Sequence, residues 1–468
     1  MTPVTDGDTD GDTDGDTDGD TDGDTDGEGA SGTDGDTDGD TDGEGARGTG
    51  APPRVLLAVE QLRRGVPGGI GTYARGLLGG LAEAAADRAR RGPIVEIGLL
   101  ASRAPGDHGR HRAARRADGG AATVGAAGGP VDPLEGFGWP VHASRLPGRL
   151  LTRAWDHGLG APPTGYDVVH AVSLAAPPVR GRQGLARPAL VVTVHDLAWR
   201  RHPETGTPRG RRWHEASLGR ALRHADALVV PSRSVADDLV EAGADPGAVT
   251  VIDEGADHLG EADRRGAEAL LRDHGVAGGF LLTVGTLEPR KNLARLVAAY
   301  SSARAALPGR LSLVVVGPVG WGEAGSGRID GSGGSWGELL SAEGVVPVGA
   351  VPDGVLAGLY ASARAFVYVP LSEGFGLPPL EAMRFGLPVL ASTGVPSVVP
   401  APGSEPTALL VDPLDVGAIA GSLVRVATDP VTRAALAAAG EADARRRTWR
   451  LAADRHARLW ESLAGRSS

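Results

Sequence analysis

The sequence predicts an α/β protein built from two doubly wound, Rossmann-like domains facing across a cleft, behind a disordered acidic N-terminal tail. Three observations carry this prediction. From Arg54 onward, short and nearly continuous apolar runs alternate with segments fit for helices. Unbroken apolar strands are buried on both faces, which is the mark of parallel sheets. The alternation lapses over residues 259–278 and then restarts, dividing it into two.

The tail comes first. Residues 5–26 and 33–44 repeat Thr-Asp-Gly-Asp with a period of four. It has almost nothing apolar to bury and its like charges repel, so residues 1–53 are read as disordered. A calcium-binding EF-hand loop would need a terminal bidentate Glu and flanking helices, and this repeat has neither. The tail also distorts the overall charge of −12. Residues 1–50 hold 18 acids and one Arg, so the remainder carries 41 acids against 46 Lys plus Arg, a net of +5. A mildly basic folded part suits an anionic small molecule or membrane surface better than nucleic acid.

The first domain spans 54–262, with apolar runs at 54–59, 94–100, 166–172, 189–195, 227–232 and 249–253. A glycine-rich loop, VPGGIGTYAR at 66–75, leads into a helix to about Arg90. Residues 102–160 are rich in Gly, Arg and Pro and read as long loops with a helix or two. The second domain spans 278–446, with runs at 280–286, 311–317, 345–349, 365–369, 388–392 and 408–412. A last amphipathic helix covers 448–465, within a closing segment of about 447–468. The 468 residues, 41% of them hydrophobic, suffice for two sizeable cores. Cysteine is missing, which removes disulfides, thiolate metal sites and a cysteine nucleophile and suits a reducing cytoplasm. No signal peptide and no run of eighteen apolar residues stands out, so a soluble or peripherally membrane-bound protein is expected.

Chemistry concentrates in LSEGFGLPPLEAMRFGLPVLAS, residues 371–392. Gly374 and Gly376 leave backbone N–H groups unhindered around Phe375 and Leu377, and a helix start adds a positive dipole end. Pro379 is expected at the first helical position and Glu381 in the first turn. The carboxylates of Glu373 and Glu381 would then frame a seat for a phosphorylated ligand. Glu381 also reads as an ordinary first-turn acid. In GTLEPRKNL, Gly285 precedes Arg290 and Lys291 where a strand gives way to a helix, good chemistry for a diphosphate. A solvated basic helix start is the bland alternative. His195 ends a strand in TVHD, where cleft-facing and core positions are equally open. Gly68, Gly69 and Gly71 permit close backbone approach or simply a flexible turn.

The 371–392 stretch resembles, nearly residue for residue, the Glu-x7-Glu motif of retaining glycosyltransferases of family 4. That resemblance, strongest from Gly285 to Ser392, implies the two-domain B-type fold, with the acceptor in the first domain and the nucleotide-sugar in the second. It implies that the last helix crosses back onto the first domain. It puts Glu373 at the sugar hydroxyls, Glu381 at the ribose, Lys291 and Arg290 at the donor phosphates, and Gly349 and Val351 beside the base. His195 would line the active site, with the Gly68, Gly69 and Gly71 loop near the donor. Thr286 stands where the family has an Arg, and Glu254 stands in place of an Asn, while Gly255 and Asp257 match. The Asp-Thr-Asp of the tail looks like the metal motif of A-type enzymes, but a floppy repeat cannot preorganise a metal. Glu-Pro-Arg-Lys-Asn resembles the mannosyltransferase branch most. The expectation is metal-independent, cofactor-free transfer of mannose from GDP-mannose to a glycan, lipid-linked or small-molecule acceptor. A UDP-glucose donor and a non-catalytic nucleotide-sugar-binding scaffold are the alternatives. An oxidoreductase is disfavoured, because the first glycines come too late after the strand for a dinucleotide fingerprint.

Overall fold

A computed structural model describes residues 51–64, 68–88, 95–103, 132–181, 187–318, 336–400 and 403–465. The acidic repeat and residues 104–131 of the Gly- and Arg-rich stretch lie outside the described residues.

The strands are β1 (Arg54–Ala58), β2 (Glu96–Ala101), β3 (Val141–Ala143), β4 (Val168–Ala171), β5 (Ala189–Thr193), β6 (Ala227–Val230), β7 (Val249–Val251), β8 (Phe280–Val284), β9 (Ser312–Val316), β10 (Val345–Gly349), β11 (Ala365–Tyr368), β12 (Val389–Ser392) and β13 (Leu409–Val411). They form a seven-stranded sheet, ordered β3-β2-β1-β4-β5-β6-β7, and a six-stranded sheet, ordered β10-β9-β8-β11-β12-β13. Every pairing is parallel. The central strands β4, β5, β6, β11 and β12 are buried at every residue, as their apolar runs require. In the first sheet the order reverses between β1 and β4, and in the second between β8 and β11. Ligands of doubly wound sheets bind at such reversals, beyond the carboxyl ends of the strands.

The short strand β3 is an addition to the sequence reading. It is three residues of mixed burial, too brief and too polar to register as an apolar run. A second difference concerns the glycine loop. Gly68, Gly69 and Gly71 fall inside the first turn of the helix Gly68–Arg88 rather than in a loop ahead of it. That helix needs its later glycines more. A Cβ on Gly76 would sit 2.0 Å from the Trp449 ring, and one on Gly80 would sit 2.1 Å from the Trp449 carbonyl oxygen. One glycine-lined stripe thus seats the start of the last helix, Trp449–Ala464. Thr448 caps that helix by accepting a hydrogen bond from Leu451 N–H.

A buried hydrogen-bond chain stitches the last helix to the first sheet. His456 Nδ1 lies 2.7 Å from the Ala452 carbonyl, an acceptor only, so Nδ1 carries the proton. His456 Nε2 must then accept from the Tyr73 hydroxyl, 2.9 Å away. The Tyr73 oxygen is left to accept from Thr193 Oγ1 at 3.2 Å, and Thr193 in turn accepts from His170 Nε2 at 2.8 Å. His170 and His456 are fully buried and stack at 5.5 Å between ring centroids. Burial holds both imidazoles below their ordinary range, His456 at about 4.

A pH dependence follows, with its sign. The unfolded chain takes up these protons near pH 6.5, and folded His456 resists down to about 4. Stability from this pair is therefore complete above 6.5 and is lost as pH falls toward 4. Each proton taken up on unfolding steepens the loss by about 1.4 kcal/mol per pH unit. Chemical denaturation from pH 7 to 4.5 should show a shallower slope for His456→Leu than for wild type. Equal slopes would refute the assignment.

Candidate active site

The site gathers where the sheet orders reverse. The segment after β8 contains Gly285, Thr286, Glu288 and a 3-10 turn, Pro289–Lys291. Asn292 ends that turn at φ 57 and is clamped in place, its side-chain amide donating to the Val369 and Pro413 carbonyls at 2.9 and 2.8 Å. A residue held in the left-handed region needs such partners. The clamp aims Arg290 and Lys291 at the segment after β11.

Glu373 is the focus. Its Oε1 accepts from Lys291 Nζ at 2.6 Å and from the Tyr368 hydroxyl at 2.7 Å. Its Oε2 accepts from Arg290 at 3.1 Å. The side chain is 9% exposed. Burial would push this carboxyl up, but Arg290 and Lys291 overcome it and hold the group at about 2. Arg290 is shared further, with Glu288 at 3.1 Å, the Ser372 carbonyl at 2.9 Å and, at 3.9 Å, Asp196 of the first half. Three carboxylates therefore compete for two cations. A cavity of about 20 Å³, lined by Gly285, Thr286, Lys291 and Tyr368 among others, opens beside Lys291.

The backbone beyond Glu373 supplies uncommitted donors. The N–H groups of Gly374, Phe375, Gly376 and Leu377 donate to no acceptor among the described residues, although all four residues are buried. Buried orphan N–H groups are rare in a finished structure and suit an anionic ligand. Gly376 turns the chain at φ 101 into the helix Leu377–Arg384. This helix begins two residues earlier than its prolines suggested. Pro378 and Pro379 both fit the first turn, whose N–H groups have no helical partner. Glu381 consequently lies in the second turn and not the first, which holds no acid. It is 5% exposed and accepts from the Tyr360 hydroxyl at 2.8 Å. His258 Nε2 is 3.2 Å from its other oxygen. The indole N–H of Trp449 points at His258 Nδ1, 3.2 Å away, so Nε2 carries the proton and donates to Glu381.

The first half meets this loop at close quarters. A Cβ on Gly374 would sit 1.7 Å from the His195 carbonyl oxygen, so no other residue fits. Ser232 Oγ, which also caps the helix Arg233–Glu241, donates to the Gly374 carbonyl at 2.6 Å. His195 itself donates from Nε2 to the Val172 carbonyl at 2.9 Å and meets Tyr73 edge to face at 4.7 Å. Its Nδ1 is 3.7 Å from Glu254, whose carboxyl burial pushes upward against the pull of His195 and His258.

The structure thus brings His195, Gly285, Arg290, Lys291, Glu373 and the Gly374–Leu377 amides together. Glu381 joins them through its helix, with no direct contact to Glu373. Val351 is half-buried against the core, with no side-chain contact to Glu373. Gly68 and Gly69 are exposed at a helix start, and Gly71 is buried two residues before Tyr73. Sequence reasoning missed Tyr368, Tyr360, His258, Glu288 and Tyr73. Only the aromatic end of β11 hinted at one of them.

Two family models match. One, described as Glycosyltransferase Family 4, covers residues 67–258, and one, described as Glycosyl transferases group 1, covers residues 275–443. The O-antigen chain mannosyltransferase B of Escherichia coli is 33% identical over 265 residues, which are 55% of this chain and 66% of that protein. The chain spans only about a quarter of a longer serotype-specific mannosyltransferase of the same organism, 26% of its length at 33% identity. A D-inositol 3-phosphate glycosyltransferase of Actinosynnema mirum is 30% identical over 418 residues, covering 84% of this chain and 91% of that one. Among solved structures, Anabaena HepE in complex with UDP and glucose superposes with a TM-score of 0.59 at 18% identity, over 88% of this chain and all of that one.

Two tests follow from the geometry. Gly374→Ala must force two backbones apart and should cost about 1–3 kcal/mol, the usual range for overpacking. An unshifted denaturation midpoint would refute the close approach. Glu373 binds a proton more weakly when folded, so its contribution is whole above pH 4.5 and is lost as pH falls through about 2. Removing that window with Glu373→Gln should flatten stability below pH 4.5, whereas an unchanged acid limb would show that the carboxylate is not held ionised.

Proposed function

Since this chain belongs to glycosyltransferase family 4, we propose that it is a hexosyltransferase that moves a sugar from a nucleotide-sugar to a hydroxyl acceptor with retention of configuration. The observation that carries the reading is Glu373, pinned as an anion by Lys291, Arg290 and Tyr368 beside four amides with no acceptor among the described residues. An anion at that point accepts hydrogen bonds from sugar hydroxyls, and the amide row faces the departing diphosphate. The carboxylates already engage both cations, so the Gly374–Leu377 amides carry the larger share of the new negative charge. Lys291 joins them from the cavity wall. In the proposed step the acceptor oxygen bonds the anomeric carbon on the face from which phosphate leaves. The anomeric carbon–oxygen bond breaks, and the acceptor proton passes to the leaving phosphate.

The finer reading is mannose from GDP-mannose without a metal. The Glu-Pro-Arg-Lys-Asn turn and the relatives named as mannosyltransferases support the sugar. Arg290, Lys291 and the amide row support the absence of a metal requirement, because they provide positive potential where a divalent ion would. UDP-glucose is the alternative donor, and the acceptor is a glycan, a lipid-linked sugar or a small molecule. We place the reaction in the cytoplasm, with peripheral membrane contact as part of the proposal. Among the described residues no helix is long and apolar enough to cross a membrane.

Thermal shift against GDP-mannose, UDP-glucose and their nucleoside diphosphates, with and without EDTA, tests this reading. One nucleotide-sugar should stabilise wild type regardless of EDTA, and by about 2.7 kcal/mol at a hundredfold excess over Kd. Lys291→Ala should weaken that stabilisation. No stabilisation by any donor would overturn the reading, and stabilisation abolished by EDTA would overturn its metal-independent form.

A further inference from the structure

Both oxygens of Glu381 are held, and by separate elements. Tyr360, the last residue of the helix Asp353–Tyr360, donates to Oε2 at 2.8 Å. His258 Nε2 donates to Oε1 at 3.2 Å, because the Trp449 indole N–H turned on Nδ1 leaves the imidazole proton at Nε2. Burial would lower the His258 ring, but Glu381 overcomes it and holds the imidazole above its ordinary range. The loop under His258 has little slack. A Cβ on Gly255 would sit 2.2 Å from Trp449 N, so the backbones touch. Ala256 N–H donates to the Arg447 carbonyl at 3.0 Å, and Asp257 accepts from Trp449 N–H at 2.8 Å. The seat of the last helix thus imposes both a tautomer and a ring position on the partner of Glu381.

Glu381 sits one turn beyond Leu377 on the same face of its helix. Under the transferase reading the Gly374–Leu377 amides face the diphosphate, and Glu373, at the other end of that row, faces the sugar. The ribose lies past the diphosphate on the far side, so its hydroxyls fall to Glu381. Each carboxylate oxygen has two lone-pair sites, and the protein takes one on each, which leaves one apiece for a vicinal pair of hydroxyls. Meeting both hydroxyls needs the carboxylate at a fixed tilt. Without its Oε1 donor the buried group turns about its axis or takes up a proton, and a protonated oxygen accepts poorly.

We propose that His258 is a positioning residue for the nucleotide: it fixes the Glu381 carboxylate for the ribose hydroxyls and relays the seating of Trp449 to that contact. This rests on the transferase reading. The test titrates the full chain calorimetrically with GDP, UDP and the 2′,3′-dideoxy form of each, using wild type, His258→Leu, His258→Gln and Trp449→Phe. Wild type should bind one ribonucleotide at least about tenfold more tightly than its dideoxy form, as for hydrogen bonds to a charged group. His258→Leu should bind that ribonucleotide about tenfold more weakly and leave the dideoxy form unchanged. His258→Gln, whose amide puts a donor near the Nε2 position, should recover most of the loss. Trp449→Phe, which removes the indole N–H that sets the tautomer, should reproduce part of it. Equal ribonucleotide binding by wild type and His258→Leu would overturn this inference alone. So would an equal loss for ribo and dideoxy ligands, which marks a merely structural role, or equal binding of the two forms by wild type. No recovery in His258→Gln would overturn the positioning, and full discrimination in Trp449→Phe would overturn the relay. If wild type binds none of these ligands and neither GDP-mannose nor UDP-glucose, the transferase reading falls and this inference falls with it.

Discussion

A carboxylate withdrawn from water stays ionised only where other groups replace the solvent, and Glu373 is organised around that constraint. Lys291, Arg290 and Tyr368 occupy its two oxygens. Removing the anion would take from the largely buried Lys291 the carboxylate it pairs with and leave Arg290 to Glu288 and the more distant Asp196, and breaking such a buried pair costs on the order of 3–5 kcal/mol. The surrounding backbone makes sense as support for this arrangement. Asn292 is held left-handed so that the Pro289–Lys291 turn delivers both cations, and Gly376 turns the chain away before its amides are used up. Arg290 extends the same network to Asp196, which couples the charge cluster to the first half of the molecule.

Close backbone contact supplies the second coupling. Gly374 abuts the His195 carbonyl, and Ser232 reaches the Gly374 carbonyl from the helix it caps. Contacts of this kind have little slack, because neither a peptide oxygen nor a glycine α-carbon can rotate away. The loop 254–258 and the Trp449 helix start form a third joint, where His258 passes between Trp449 and Glu381. The last helix thus belongs mechanically to both the sheet it covers and the site it borders. Its buried Tyr73–His456 chain makes that attachment sensitive to acid.

The strands could be read in the sequence because parallel sheets bury both faces of each strand. Of the thirteen strands among the described residues, twelve announced themselves as apolar runs, and β3 escaped because three residues of mixed polarity carry no period. Helix starts were less legible. Proline at 378 and 379 signals a first turn without saying which of its positions it fills, and the two-residue difference moved Glu381 from the first turn into the second. Glycines 68, 69 and 71 read as loop because glycine is poor in helix interiors. In the structure they lie in a first turn, where that cost is smallest.

What the sequence determined on its own was the fold class and the chemical inventory: parallel sheets from apolar runs, and Glu373, Lys291, Arg290 and His195 from strand-end loops with glycine spacing. Those are local properties, set by side-chain polarity and backbone freedom within a dozen residues. Tertiary structure alone decided the partners. Tyr368 on Glu373, Tyr360 and His258 on Glu381, and Glu254 beside His195 are meetings between segments from 5 to 123 positions apart. Such a meeting has no signature in either segment by itself, because a buried charge is stabilised by whatever the fold brings within about 4 Å of it.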